Sequence, residues 1–230
     1  ASLSQVHQAR LPAGEKVAVK VQRPDIKKTI ETDINILHRL AAIMEKRTHL
    51  SRVYQPTELV REFSHIIRQE LDFKREAHNL EQFRRNFPES EEICMPKIYW
   101  DFTSPRVLTM EHVKGTKINE VIKSRDEIFN KPLLASRITN TFLKQIFVDG
   151  YFHGDPHPGN IIVRENNVVA FLDFGIVGRL DDWTKNKLAD MLIAVTNNDV
   201  EKIIKVWRDM DLMDPLQNTQ SLKQELKHFL

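Results

Sequence analysis

Three polar side chains between residues 155 and 173 have the types and the spacing that phosphoryl transfer requires. Asp155 and Asn160 lie five residues apart, and Asp173 follows in the sequence Leu-Asp-Phe-Gly at residues 172–175. Nucleotide chemistry uses one carboxylate to meet the acceptor group and further oxygen ligands to hold a metal ion against the phosphates. We therefore interpret Asp155 as a catalytic residue, and Asn160 and Asp173 as metal ligands.

The residues between these side chains predict a β-hairpin. Residues 161–163 and 168–172 are apolar runs of strand length, and the polar run 164–167 is typical of a turn. Such a hairpin places Asn160 and Asp173 at neighbouring strand ends. Aspartate, asparagine and Asp-Phe-Gly follow in the same order in protein kinases. Each short motif alone is often an ordinary turn or loop, but the ordered set favours a phosphoryl-transfer centre.

The histidines of the same loop allow a second interpretation, which is a metal site. His153 and His157 are four residues apart, but the loop is rich in Pro and Gly, and cysteine partners are lacking. We therefore expect both histidines to pack or to form hydrogen bonds.

Cys94 is the only cysteine, which excludes an internal disulfide and is consistent with a reducing compartment.

The composition excludes several other classes of protein. With 41% hydrophobic residues among 230, the chain can fold around a core. The 34 basic and 32 acidic residues nearly balance, so we expect no nucleic-acid partner. No run approaches 18 apolar residues, and the first residues show no leader pattern. Because the sequence opens on Ala1 without methionine, we expect a domain excised from a longer protein, which leaves room for targeting or membrane elements outside it.

The N-terminal residues predict a β-hairpin that presents a lysine. Residues 1–10 and 16–22 have strand patterns, and a Pro- and Gly-containing turn joins them. In the second strand valines alternate with Ala18 and Lys20, so Lys20 lies on the opposite face from the valines. The run Val-Ala-Val-Lys resembles the kinase strand that carries the phosphate-binding lysine. A solvent-exposed lysine on an amphipathic strand is the alternative interpretation.

Two long helical patterns follow this hairpin. Apolar residues recur at intervals of three and four from Ile26 to Met44, and again from Pro56 to about Phe87, where one break is allowed. Thr57 is the expected cap of the second helix.

Acidic side chains are set into the second helical pattern at Glu70, Asp72 and Glu76. A lysine that binds phosphate needs a carboxylate to hold its orientation, so Glu76 is the candidate partner of Lys20. An ordinary charged helix face with local ion pairs is the alternative.

Two strand-like runs, residues 92–102 and 105–113, are expected to complete a small sheet. The second run ends in residues that resemble a kinase hinge, which offers backbone groups to adenine. Glu111 and Val113 are therefore candidate nucleotide-binding residues, and Met110 is placed at the back of the adenine pocket or, alternatively, in the core. Helical patterns follow at residues 117–123, 133–150, 181–195, 200–210 and 217–230, with Gly150 as an expected C-cap.

Together these motifs resemble those of the UbiB/AarF family of atypical protein-kinase-like proteins, which is linked to coenzyme Q and other prenyl-lipid metabolism. The resemblance covers nearly the whole chain. Residues 1–7 are similar to the end of the alanine-rich loop that replaces the kinase glycine-rich loop in this family, which implies nucleotide contacts for Ala1 and Ser2.

The remaining matches fall on the residues already singled out. Lys20 corresponds to the family's nucleotide lysine and Glu76 to its ion-pair partner. Glu70-x-Asp72 is similar to the family's acidic motif. The residues that match the catalytic loop and the metal ligands are His153, Gly154, Asp155, Asn160 and Asp173.

The resemblance implies an α+β, bilobal protein-kinase-like fold. We expect a small β-sheet N-lobe with long inserted helices over residues 1–113, and a mainly helical, C-terminally truncated C-lobe over residues 114–230. ATP or ADP and Mg²⁺ are the implied cofactors. The implied activity is that of an atypical kinase or ATPase in ubiquinone or other prenyl-lipid biosynthesis, with protein phosphorylation in trans not expected. Implied partners are a prenyl-lipid precursor or lipid-biosynthesis proteins, and the implied location is cytoplasmic or inside an organelle, peripheral to a membrane in the full-length protein.

Two other functions fit parts of the sequence. The pattern His-Gly-Asp-x-His-x-x-Asn also resembles aminoglycoside and choline phosphotransferases, although the acidic motif at residues 70–72 favours the first family. The altered nucleotide loop is also consistent with a nucleotide-gated scaffold that has no catalytic activity.

Overall fold

Short strands and longer helices follow one another along the chain, as expected for an α+β protein. The computed structural model describes residues 3–47, 55–88, 90–213 and 219–229. The strands are β1 (Ser4–Arg10), β2 (Lys16–Gln22), β3 (Ile93–Cys94), β4 (Val107–Glu111), β5 (Thr116–Lys117), β6 (Tyr151–His153), β7 (Ile161–Val163), β8 (Val169–Phe171) and β9 (Val177–Arg179). The helices are α1 (Ile26–Arg47), α2 (Pro56–Glu70), α3 (Phe73–Asn86), α4 (Ile118–Lys123), α5 (Lys131–Leu143), α6 (Asp182–Thr196), α7 (Val200–Asp209) and α8 (Thr219–Phe229).

The first sheet has the strand order β1-β2-β4, and all its pairs are antiparallel. Its central strand is the predicted lysine strand. Lys20 lies opposite Val6 on β1 and opposite Leu108 on β4, so these three side chains share one face. Val17 is fully buried, on the other face.

Helices α1, α2 and α3 cover the two predicted helical stretches, and the second stretch breaks between Glu70 and Phe73. The predicted cap at Thr57 is wrong. Gln55 precedes the helix without a capping side-chain bond, and Pro56 is the first helical residue. Proline suits this place because its missing N–H would have no partner in the first turn, so Thr57 falls inside the helix.

The two runs at residues 92–102 and 105–113 pair at one antiparallel bridge, Ile98 with Met110, and do not form the longer ladder that the sequence prediction implied. The second run contains β4, but only Ile93 and Cys94 of the first run form a strand. That strand pairs in parallel with β8, in a different sheet. Pro96 has no N–H to extend a ladder, and Trp100–Phe102 form a single 3-10 turn.

The second sheet has the strand order β3-β8-β7-β5 and contains the predicted hairpin of β7 and β8. Ile161 lies opposite Phe171, so the hairpin ends at Asn160 and Leu172. The Leu172 N–H donates a hydrogen bond to the Asn160 carbonyl oxygen over 3.0 Å. This bond fixes the chain just before Asp173.

The C-terminal half is mainly helical, as expected. Helix α5 begins at Lys131 and continues into a π-helix, Lys144–Asp149, which ends at Gly150. Gly150 has a φ of 59° and is the predicted C-cap, because this left-handed conformation favours glycine. Asp181 caps α6 by accepting a hydrogen bond from the Thr184 N–H. β6 pairs with β9 in a two-stranded sheet.

The chain divides into two compact units. One unit is formed within Ala1–Ile138 and His153–Val177, and the other within Thr139–Phe152 and Gly178–Leu230. The predicted division into lobes at residues 1–113 and 114–230 stays a prediction. Over the described ranges, no helix combines the length and the apolar character needed to cross a lipid bilayer.

Candidate functional site

Lys20 is bound by two carboxylates from distant parts of the chain. Its Nζ is 2.9 Å from Glu76 Oε2 and 3.1 Å from Asp173 Oδ2. The side chains of Lys20 and Glu76 are only 11% and 4% exposed. Lys20 is therefore buried and shared between two carboxylates. The alternative interpretations were a solvent-exposed lysine at residue 20 and an ordinary charged helix face around Glu76, and the structure shows neither.

The charges of these three groups do not cancel. Burial acts to lower the pKa of Lys20, but its attraction to Glu76 and Asp173 outweighs this effect and raises the pKa. Burial also acts to raise the pKa of Asp173, but Lys20 and the Gly175 N–H hold it below its usual range. One ammonium group cannot neutralise two carboxylates, and burial raises the pKa of Glu76 to about 7 despite Lys20. Glu76 is therefore the group of the three that titrates near neutral pH.

Helix α3 carries Glu76, and Asp72 fixes where this helix begins. Asp72 Oδ1 accepts a hydrogen bond of 3.0 Å from the Lys74 N–H, which satisfies one free donor of the first turn. The second acid of the Glu70-x-Asp72 motif thus has a structural role as an N-cap. Phe73, the first residue of α3, is buried with its ring centroid 5.3 Å from Lys20 Nζ, a distance at which the ring attracts the cation.

The same helix also holds the segment that contains Asp173. Asn79 Nδ2 donates a hydrogen bond of 2.9 Å to the Phe174 carbonyl oxygen. The rings of Phe83 and Phe174 have centroids 4.8 Å apart, and both side chains are fully buried. Helix α3 therefore positions both carboxylates that bind Lys20.

The predicted metal ligands lie at adjoining ends of β7 and β8. Asp173 Oδ1 accepts a hydrogen bond of 3.1 Å from the Gly175 N–H, while Oδ2 faces Lys20. The Asn160 N–H donates to the His157 carbonyl oxygen over 2.9 Å, which anchors the asparagine in its loop. The backbone thus holds both residues in place.

Asp155 lies in an exposed loop whose backbone is held by histidine. The Asp155 N–H donates to His153 Nδ1 over 3.0 Å, and His153 itself is buried. Burial lowers the pKa of His153, in spite of the nearby Asp173 and Asp155 carboxylates, so the ring is neutral and Nδ1 accepts. His157 Nδ1 accepts a similar bond of 3.0 Å from the Gly159 N–H. Both histidines thus form the hydrogen bonds that we expected.

A cavity of about 630 Å³ adjoins these residues. Such a volume is typical of small-molecule sites. Of the predicted site residues, those on its wall are Lys20, Glu70, Glu76, Glu111, Val113, Asp155, Asn160 and Asp173. Asp72 is not on this wall, and Ala1 and Ser2 lie outside the described residues.

The hinge end of the cavity is formed by the residues that follow Met110. Glu111 Oε2 accepts a hydrogen bond of 3.2 Å from the Lys97 N–H, so this carboxylate supports the neighbouring chain segment. The Val113 N–H donates to no other residue in the described part of the chain. An unused N–H on the cavity wall is what an acceptor atom of a purine base requires.

The opposite end of the cavity is acidic. Glu70, at the end of α2, is half-buried, and burial together with Asp173 and Asp155 raises its pKa against the effect of Lys20.

Within the described ranges, no group of three or more His, Cys, Asp or Glu side chains forms a complete metal site. Asn160 and Asp173 fit Mg²⁺ nonetheless, because this ion takes few protein ligands and completes its shell with phosphate oxygens and water.

Sequence reasoning did not single out several polar residues on the cavity wall, namely Ser4, His7, Gln8 and Lys117, of which Ser4 is buried. Ser4 is 2% exposed, and its Oγ has no hydrogen-bond partner among the described residues. Ser4 is two residues from Val6 on the strand that pairs with the lysine strand, so the predicted hairpin already placed both on one face, but it did not indicate that Ser4 is buried.

Comparison with known proteins places the sequence in a family. Residues 1–207 match the ABC1 atypical kinase-like domain family. The chain is 35% identical to Protein ACTIVITY OF BC1 COMPLEX KINASE 7, chloroplastic, from Arabidopsis thaliana, over 100% of this chain and 33% of that protein. It is 38% identical to Probable protein kinase UbiB from Vibrio campbellii, over 91% of this chain and 39% of that protein. The chain thus spans about a third to two fifths of the length of these relatives.

A solved structure shows a similar fold. The complex of Rv3197 with erythromycin from Mycobacterium tuberculosis superposes with a TM-score of 0.70 and 21% identity, over 95% of this chain and 54% of that chain. At this identity the likeness concerns the fold alone. Together with the family match, it confirms the expected α+β, kinase-like fold.

Proposed function

The chain belongs to the ABC1 atypical kinase-like domain family, and from this premise we propose that it binds ATP or ADP with Mg²⁺ and catalyses phosphoryl transfer or ATP hydrolysis. One observation carries the proposal. Lys20, Glu76 and Asp173 converge on the wall of a cavity that Asp155 and Asn160 also line.

Each of these side chains has a distinct task in the proposed reaction. Lys20, oriented by two carboxylates, donates hydrogen bonds to phosphate oxygens and offsets their charge. Asn160 and Asp173 would hold the metal ion. When bound, Mg²⁺ neutralises charge on the phosphates and helps to align them. Asp155 orients the attacking hydroxyl group or water and accepts its proton.

The far end of the cavity would hold the base. The unused Val113 N–H donates to a ring nitrogen of adenine, and the Glu111 backbone adjoins it. Met110 is buried and lies on the same wall, where its side chain packs against the base. These contacts place the phosphates toward Lys20, which lies one step further along the sheet from the hinge.

The biological role that we propose for this protein is based on its similarity to relatives named UbiB. We propose that the full-length protein supports ubiquinone or other prenyl-lipid biosynthesis, with a prenyl-lipid precursor or lipid-biosynthesis proteins as its partners. A location in the cytoplasm or inside an organelle, peripheral to a membrane, fits this role, and one relative is named as chloroplastic.

The test measures nucleotide binding and phosphate release with and without Mg²⁺. Wild type is compared with Asp173→Asn and Lys20→Met, and with Asp181→Asn as a matched control. Asparagine caps helices as well as aspartate does, and Asp181 is not on the cavity wall. We expect Mg²⁺-dependent release that falls by at least about 100-fold in Asp173→Asn and Lys20→Met but not in the control. Binding without turnover in wild type would favour the scaffold, and absence of binding would refute the proposal.

A further inference from the structure

Lys117 is a cation on the cavity wall that has no partner in the described part of the chain. The residue is exposed, and its ammonium group forms no hydrogen bond or ion pair with a described residue. Lys20, which lines the same cavity, is instead bound by Glu76 and Asp173. The charge of Lys117 is therefore available to a molecule that enters the cavity.

The sheet register places Lys117 between the hinge and the residues proposed to hold the metal ion. Lys117 on β5 pairs with Ile162 on β7, and both residues line the cavity. Ile162 is two residues from Asn160, which corresponds to about 7 Å along an extended chain. In the other direction, Lys117 follows Val113 by only four residues. Lys117 thus lies between the proposed site of the base and that of the metal-bound phosphates.

The carboxylates of the cavity wall leave the charge of Lys117 unpaired. Glu70 lies close enough to Asp155 and Asp173 for their charges to raise its pKa, so these three acids share the end of the cavity away from the hinge. At the hinge end, Glu111 Oε2 accepts its hydrogen bond from the Lys97 N–H. An anionic group next to Lys117 therefore meets a cation that no described carboxylate binds.

We propose that Lys117 Nζ binds a phosphate group carried by the ribose of the nucleotide, at its 2′ or 3′ position. A nucleotide with its base at the hinge and its 5′-phosphates at Lys20 has its ribose between them, beside Lys117. An ammonium group forms stronger hydrogen bonds with phosphate than with a neutral hydroxyl group. The cavity therefore takes adenine nucleotides that carry an additional phosphate on the ribose. The inference rests on the proposed function, to which it adds a second phosphate-binding position and a class of ligand.

The test compares Lys117→Met with wild type in titrations with AMP, adenosine 2′,5′-bisphosphate and adenosine 3′,5′-bisphosphate, and with ADP as a measure of nucleotide binding itself. In wild type we expect at least one bisphosphate to bind about three- to tenfold more tightly than AMP, a range between the effects of an exposed ion pair and of a hydrogen bond to a charged group. Lys117→Met should bind AMP and the bisphosphates with equal affinity. Lys117→Arg keeps the charge and should retain much of the preference.

Lys114→Met is the matched control, because Lys114 is an exposed lysine of the same segment that is not on the cavity wall. This variant removes the same charge and should keep the wild-type preference. The proposal is overturned if wild type binds neither bisphosphate more tightly than AMP, if the preference survives in Lys117→Met, or if both methionine variants lose it equally. An equal loss of affinity for AMP and both bisphosphates in Lys117→Met would assign the lysine to the ribose hydroxyls and also overturn it. A wild type that binds neither ADP nor AMP would overturn the proposed function as well.

Discussion

Replacing Glu76 with glutamine should make the stability relative to wild type rise with pH. Replacing most other carboxylates has the opposite effect on this pH dependence. In the folded chain one ammonium group, on Lys20, faces two carboxylates, and Glu76 is the more buried of the two. Glutamine has nearly the same shape but cannot ionise. The variant therefore keeps one ammonium group and one carboxylate, on Lys20 and Asp173.

The magnitude follows from the pKa of Glu76, which rises from 4.5 to about 7 on folding. Between these values the folded state retains a proton that the unfolded state has released. Stability therefore falls as the pH rises through this window, and the contribution of a protonated Glu76 is fully present only below about pH 4.5. At about 1.4 kcal/mol for each pKa unit, the loss is on the order of 3 kcal/mol.

Urea unfolding between pH 5 and pH 8 measures this effect. We expect the free energy of unfolding of Glu76→Gln, minus that of wild type, to increase by roughly 2–3 kcal/mol across the range. Glu58→Gln is the control, since the Glu58 side chain is 50% exposed and pairs with the neighbouring Arg61. A difference that stays constant with pH, or that decreases, would show that Glu76 is ionised throughout and that the charge argument is wrong.

Two further substitutions test how the site is supported. Asp72→Ala should lose about 1 kcal/mol of stability in urea unfolding, because the Lys74 N–H loses its acceptor. Asp72→Asn should keep the cap and therefore the stability. Equal losses in both variants would contradict the capping role. Gly115→Ala should lose about 1–3 kcal/mol or more, because the added Cβ would overlap the Val163 carbonyl oxygen and lie 2.5 Å from Ile162 Cγ2. Wild-type stability in Gly115→Ala would show that β5 can shift away from β7 at little cost.

The parts of the fold that depend on local spacing were predictable from the sequence. The hairpin of β7 and β8 follows from two apolar runs around a polar turn, and it leads directly to the placement of Asn160 and Asp173. Gly150 was recognisable as a cap because a helical pattern ends there and glycine accepts a positive φ. In these cases neighbouring residues determine the backbone conformation.

Apart from the local cap at Thr57, the failed predictions concern interactions between distant segments. The strand-like composition of residues 92–102 gave no information about its partner, and Ile93 and Cys94 pair with β8 rather than with the first sheet. The role of Asp72 was also hidden, because an acidic motif and an N-cap have the same residue type. Ser4 was missed because burial depends on what the rest of the chain places around a strand, which alternation alone does not show.

Helix α3 explains how side chains from positions 20, 76 and 173 keep one geometry. Glu76 and Asn79 are three residues apart and therefore project from the same side of this helix. Glu76 binds Lys20, while Asn79 holds the Phe174 carbonyl oxygen next to Asp173, over 2.9 Å. Any shift of the helix would change both distances together. Lys20 and Asp173 are therefore positioned by one element, and the cap at its first turn bears directly on the geometry of the site.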